Sequence, residues 1–110
     1  MKWTILTAAV LLTGLSSSLL AQEQLDDPNA GIDVYSMHET CQTDPAYQGR
    51  CFTLPASYAP SITLREYAEA SAKPHGGDPQ ILIDAVIHFN GWYGATGDLV
   101  IPAGVAFRTA

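Results

Sequence analysis

Cys41 and Cys51 are the only two cysteines in this 110-residue chain, and they restrict its folding more than any other feature. An even cysteine count in a small exported protein reads as one disulfide. Their spacing is neither the two-residue interval of a redox pair nor that of a zinc knuckle. Closing so short a loop stabilises a domain by roughly 2–3 kcal/mol in the chain-entropy model. Between the cysteines, Thr43-Asp44-Pro45 and Gln48-Gly49 are turn chemistry. Val34-Tyr35 before them and Arg50 to Leu54 after them read as strands, so the bridge is expected to staple a hairpin at its mouth or its loop.

The premise of export comes from the N-terminus. Lys2 precedes an uncharged run from Trp3 to Ala21 that is rich in Leu, Ala and Thr and ends in small residues, the pattern of a signal peptide. A membrane anchor needs about 20 apolar residues. This run is diluted by Thr4, Thr7, Thr13, Gly14 and the serines Ser16 to Ser18. Cleavage is expected after Ala21, with a cut after Ser18 as the alternative. The expected organisation is a leader at 1–21, a flexible polar tail at 22–31 and a single disulfide-stapled β-rich domain at 32–110. The chain carries 5 basic and 11 acidic residues, net −6, and loss of Lys2 with the leader makes the exported chain more negative still. That balance disfavours nucleic acid and anionic membrane as partners, which require a positive face. It suits a soluble exported protein.

The main apolar mass after the leader lies in Ile81 to Phe107, and it supports two local structures. Gln80, Asp84 and His88 recur every fourth residue, as on a helix, while Ile81, Ile83, Ala85, Ile87 and Phe89 alternate, as in a strand. Asp78-Pro79 is a good helix start and Asn90-Gly91 a good helix stop. The same Asn90-Gly91 is also the preferred two-residue hairpin turn, placing Phe89 opposite Trp92. The β-branched Ile81, Ile83, Val86 and Ile87 favour the strand, although the choice over 79–90 stays open. Turn residues Thr96-Gly97-Asp98 and Pro102-Ala103-Gly104 then punctuate short apolar runs at Leu99 to Ile101 and Val105 to Phe107, which reads as a meander. One helix is expected near 64–73, where Thr63 and Glu66 fit a capping box and Leu64, Tyr67, Ala68 and Ser71 share a face. The fold class is therefore β-rich, either an all-β Greek-key or sandwich or a small α+β fold, with short strands and one short helix.

Catalytic signatures are sparse. The serines beyond the leader stand singly at Ser36, Ser57, Ser61 and Ser71, outside any nucleophile elbow. His38, His75 and His88, with Glu39, Asp78 and Asp84, are the raw material for an acid-base or metal site, but none has diagnostic spacing. His75 in the loop His75-Gly76-Gly77-Asp78-Pro79 is the best placed of the three histidines for a loop-borne role. Trp92-Tyr93-Gly94 is either an aromatic platform for a sugar or a partner, or, for Trp92, a core position packed against Phe89. The candidate ligand-binding residues are Trp92, Tyr93, His75 and Asp78. No metal or cofactor is expected.

Two stretches resemble the βγ-crystallin Greek-key motif, in which an aromatic and then a glycine precede a short apolar strand. The first is Val34-Tyr35 with Tyr47-Gln48-Gly49-Arg50-Cys51-Phe52-Thr53-Leu54-Pro55, and the second is Trp92-Tyr93-Gly94 with Leu99-Val100-Ile101-Pro102-Ala103-Gly104. Small secreted members of that superfamily include killer toxins and metalloprotease inhibitors. The resemblance implies a compact disulfide-bearing binding module. It does not carry calcium ligands over, because Gly77-Asp78-Pro79-Gln80 has one acid and no hydroxyl. The expected function is a small secreted non-enzymatic binding protein of toxin, effector or inhibitor type with a protein or glycan ligand. The alternatives are a small metal-dependent hydrolase using His75, Asp78 and His88, and a structural surface component.

Overall fold

The computed structural model describes residues 27–110. The expected leader and the beginning of the expected tail, 22–26, lie outside the described residues. In chain order the elements are α1 (Tyr35–Thr43), β1 (Cys51–Thr53), β2 (Ser61–Thr63), α2 (Leu64–Ala72), α3 (Pro79–Asn90), β3 (Val100–Pro102) and β4 (Ala106–Arg108). Single 3-10 turns stand at Pro45–Tyr47, Ala56–Tyr58 and Lys73–His75. The strands form two antiparallel pairs, β1 with β4 and β2 with β3. Cys51 faces Arg108 and Thr53 faces Ala106 in the first; Ser61 faces Pro102 and Thr63 faces Val100 in the second.

This corrects the β-rich expectation, and with it the Greek-key sandwich that the βγ-crystallin resemblance implied. Among the described residues helix, with the 3-10 turns included, outweighs strand at 46% against 14%. The stretch over 79–90, open between a helix and the favoured strand and hairpin, is α3, and the capping chemistry explains why. Asp78 accepts a hydrogen bond from the Gln80 N–H at 2.9 Å, and Pro79 occupies the first turn, where its missing N–H costs nothing. At the other end Gly91 is left-handed at φ 68°. The Trp92 N–H donates to the Ile87 carbonyl and the Gly91 N–H to that of His88, the paired bonds of a Schellman stop. A hairpin of the expected type needs positive φ at both Asn90 and Gly91. Among the described residues only glycines have it.

Val34-Tyr35 is likewise not a strand but the entry to α1. The disulfide therefore ties the end of a helix to β1, and the hairpin it was expected to staple does not form. The apolar runs around Leu99 to Ile101 and Val105 to Phe107 do contain strands, yet these pair with β2 and β1 instead of with each other.

The helix expected near 64–73 is α2, with its capping box complete. Thr63 Oγ1 accepts the Glu66 N–H and Glu66 Oε1 accepts the Thr63 N–H, both at 3.1 Å. The two N–H groups between them, on Leu64 and Arg65, donate to the Leu99 and Gly97 carbonyls at 2.8 Å. All the free donors of this first turn thus find partners, and β2 runs into the helix without a loop. Thr63→Ala is expected to cost about 1 kcal/mol, read as a lower urea midpoint at unchanged slope.

Three-residue strands cannot hold themselves together in water. Burial against the helices does so here: α2 and α3 pack on each other, and Leu54, Leu64, Ile83, Val86, Ile101 and Phe107 are fully buried beneath them. Phe52, Tyr67, Trp92 and Phe107 form an aromatic cluster around Phe107, with ring centroids 5.1–6.1 Å apart along its contacts. Burial pushes the Tyr67 phenol up, partly offset by its hydrogen bond with Ser71, so it serves the core as a neutral aromatic. The described stretch of the expected tail, 27–31, is turned and docked. The Asn29 amide bonds both the Thr96 hydroxyl and the Thr96 N–H at 2.9 Å.

Candidate binding face on the third helix

The residues singled out from sequence do not converge. Asp78 is the N-cap of α3, and its Oδ1 is occupied by the Gln80 N–H. His75 stands in the exposed turn before it. His88 lies ten residues on from Asp78, about 15 Å along the helix axis at 1.5 Å per residue. A hydrolytic trio of His75, Asp78 and His88 is thus spread along the whole of α3. No group of three His, Cys, Asp or Glu side chains able to hold a metal occurs among the described residues. Trp92 is 3% exposed, in the core against Phe107, and its indole N–H is the one buried side-chain polar atom without a partner among the described residues. Tyr93, one position later, is 69% exposed.

What the fold does assemble is a face along α3. Ile83, Val86 and Asn90 point inward, so the residues at helical spacing on the opposite side, Ile81, Asp84 and His88, face solvent. Ile81 is 69% exposed, the most exposed apolar side chain of α3. Gln80 donates to Asp84 along this face at 3.0 Å. At its C-terminal end His88 meets the rings of Phe89 and Tyr93 edge-on, at 6.0 and 6.2 Å.

On the far side of Phe89 the row continues through Arg108. Its guanidinium lies over the Tyr47 ring at 4.8 Å and over the Phe89 ring at 5.4 Å, while Nε donates to the Ala110 carbonyl at 3.0 Å. Tyr47, Arg108, Phe89, His88 and Tyr93 are therefore successive neighbours in one stacked row. Arg65 pairs with Asp98 and Lys73 with Glu69; among the described residues no Asp or Glu side chain pairs with Arg50 or Arg108. Cation–π contacts with the two rings and the Nε bond to Ala110 hold the Arg108 head in place.

Two further residues prove important, and neither stands out in the sequence for the role it plays. Strand β4 bonds to β1 through Phe107, leaving the main-chain groups of Ala106 and Arg108 on its outer edge. His38 Nδ1, from α1, accepts the Ala106 N–H at 2.9 Å. The Asn90 side chain accepts the Arg108 N–H at 2.8 Å and donates to the Arg108 carbonyl at 2.9 Å, as a neighbouring strand would. His38 reads as a possible acid-base group and Asn90 as a turn residue; both instead close a sheet edge. No local sequence signal identifies such a role, since it depends on two elements meeting far apart in the chain. The chain matches no family model, no curated protein and no solved structure.

Proposed function

We propose that this is an exported, non-enzymatic binding protein, of toxin, effector or inhibitor type, that docks a protein partner through the outer face of α3. The observation that carries the reading is the row Tyr47, Arg108, Phe89, His88 and Tyr93, continued along the helix by the exposed Ile81. Tyrosine and arginine are the residue types that dominate binding energy at protein interfaces. Stray apolar residues on a surface are ordinary, but here they are aligned on one helix side and adjoin a positioned cation. An immobilised guanidinium loses little freedom on binding, which favours a partner presenting carboxylates. Export is supported by the leader pattern of Lys2 to Ala21 and by the Cys41–Cys51 bond, which belongs to an oxidising compartment.

The test is the thermal midpoint of the oxidised chain from Gln22 against calcium, zinc, soluble glycans and secreted proteases. A partner at a hundred times its dissociation constant stabilises by about 2.7 kcal/mol, raising the midpoint by roughly ten degrees. Tyr93→Ala is expected to leave the free protein's midpoint within about two degrees, as exposed substitutions do, and to abolish the rise. A rise with a metal ion alone, or one that survives both Tyr93→Ala and His88→Ala, overturns the reading. A rise with a glycan alone replaces the protein partner by a sugar.

A further inference from the structure

A second site, independent of the α3 face, follows from the hydrogen bonds of β3. Its pairing with β2 runs through Leu99 and Ile101. The Leu64 N–H donates to the Leu99 carbonyl at 2.8 Å, and the Ala103 N–H to the Pro60 carbonyl at 3.1 Å. In an antiparallel ladder such pairs alternate, so Val100 between them turns its N–H and C=O to the outer edge. Among the described residues nothing bonds to either group, and the Val100 side chain is 53% exposed. Beside this edge lies a cleft of about 320 Å³, walled by Ile32, Val34 and Leu99, with Asp27 and the Asp98 that Arg65 holds at its margin. The volume is at the small end of ligand pockets, roughly 300–1,000 Å³, and suits a side chain or two more than a whole small molecule. Asn29 clamps the far wall to Thr96, so the cleft is built before anything enters it.

We infer that this edge binds an extended peptide segment of a partner protein, which adds as a strand beside Val100 and places an apolar side chain in the cleft, with a flanking lysine or arginine toward Asp27. Main-chain bonds would supply affinity, and the cleft and its acidic margin the selectivity. Two of the other edges are less suited. That of β4 is closed by His38 and Asn90. In that of β2 the Thr63 N–H is already taken by Glu66 Oε1.

The probe is the capped hexapeptide Lys-Val-Thr-Val-Lys-Thr, titrated into the oxidised protein and followed by amide chemical shifts. Saturable shifts centred on Leu99 to Ile101 and Ile32 to Val34 are expected. Val100→Pro removes only an outward N–H from an edge strand, where proline is tolerated; it should weaken binding tenfold or more. Asp27→Lys should weaken this peptide and leave a version with threonine for both lysines unaffected, which keeps the test decisive if the proline variant does not fold. The inference fails if no saturable shift occurs, if Val100→Pro binds like wild type, or if a peptide with glutamate for lysine binds equally well. It also fails if the edge is taken by a second copy of the chain, seen as a dimer in sedimentation that Val100→Pro dissolves.

Discussion

Replacing Asn90 by leucine is expected to destabilise the protein by about 3 kcal/mol and to lower its thermal midpoint by roughly 15 °C. The side chain is buried and makes three bonds: Oδ1 accepts the Arg108 N–H at 2.8 Å, and Nδ2 donates to the carbonyls of Val86 at 2.8 Å and Arg108 at 2.9 Å. Leucine has the same branched skeleton but leaves the Arg108 N–H and carbonyl without their partners at a partly buried site. A buried orphaned donor or acceptor costs about 1–3 kcal/mol. Asn90→Asp sharpens the expectation. One carboxylate oxygen still accepts the Arg108 N–H, but the other is set against two carbonyl oxygens, so the loss should be as large as for leucine. At a hairpin turn asparagine and aspartate serve equally well. Urea denaturation of Asn90→Asp within half a kcal/mol of wild type would show that the residue does no more than turn the chain.

Opening the disulfide is the second large perturbation, and its effect should be local as well as global. Cys41 lies in α1 and Cys51 in β1. Helix α1 has no buried residue of its own; the bridge ties it to β1, the His38 bond to Ala106 ties it to β4, and Val34 is buried just before its start. A helix of nine residues does not persist alone in water. Reduction, or the double change Cys41→Ala and Cys51→Ala, is therefore expected to cost roughly 2–3 kcal/mol. It should also bring the amides of Tyr35 to Thr43 close to unprotected hydrogen-exchange rates while those of α2 and α3 stay protected. Uniform loss of protection across all three helices would mean that α1 is integral to the core.

The same elements show how far the chain can be read unaided. Helix α2 is legible because its signals are local: a capping box at Thr63 and Glu66, an apolar face, and a stop before Pro74. The bridge is legible because two cysteines allow one pairing. α3 reads ambiguously, with the strand favoured, because the residues that cap it also make a hairpin turn and its β-branched residues alternate as well as they wind. The preference of such residues for strands spans only about 1 kcal/mol and depends on context. Burial of Ile83 and Val86 against α2, with caps at both ends, outweighs it. On the binding face, Tyr93 is visible in the sequence as an exposed aromatic candidate. Arg108, Phe89 and Tyr47 are not, because their stacking joins a 3-10 turn, a helix end and the last strand.

By itself, then, the sequence determined what depends on neighbours a few residues away: the disulfide, the caps, the breaks at glycine and proline, and the acidic charge. Tertiary structure decided whether 79–90 winds or extends, which strands pair, and that His38 and Asn90 serve as the missing neighbours of β4. The reason is that an edge hydrogen bond or a strand partner is chosen by which distant groups would otherwise be buried unsatisfied, a condition that exists only once the chain has closed on itself.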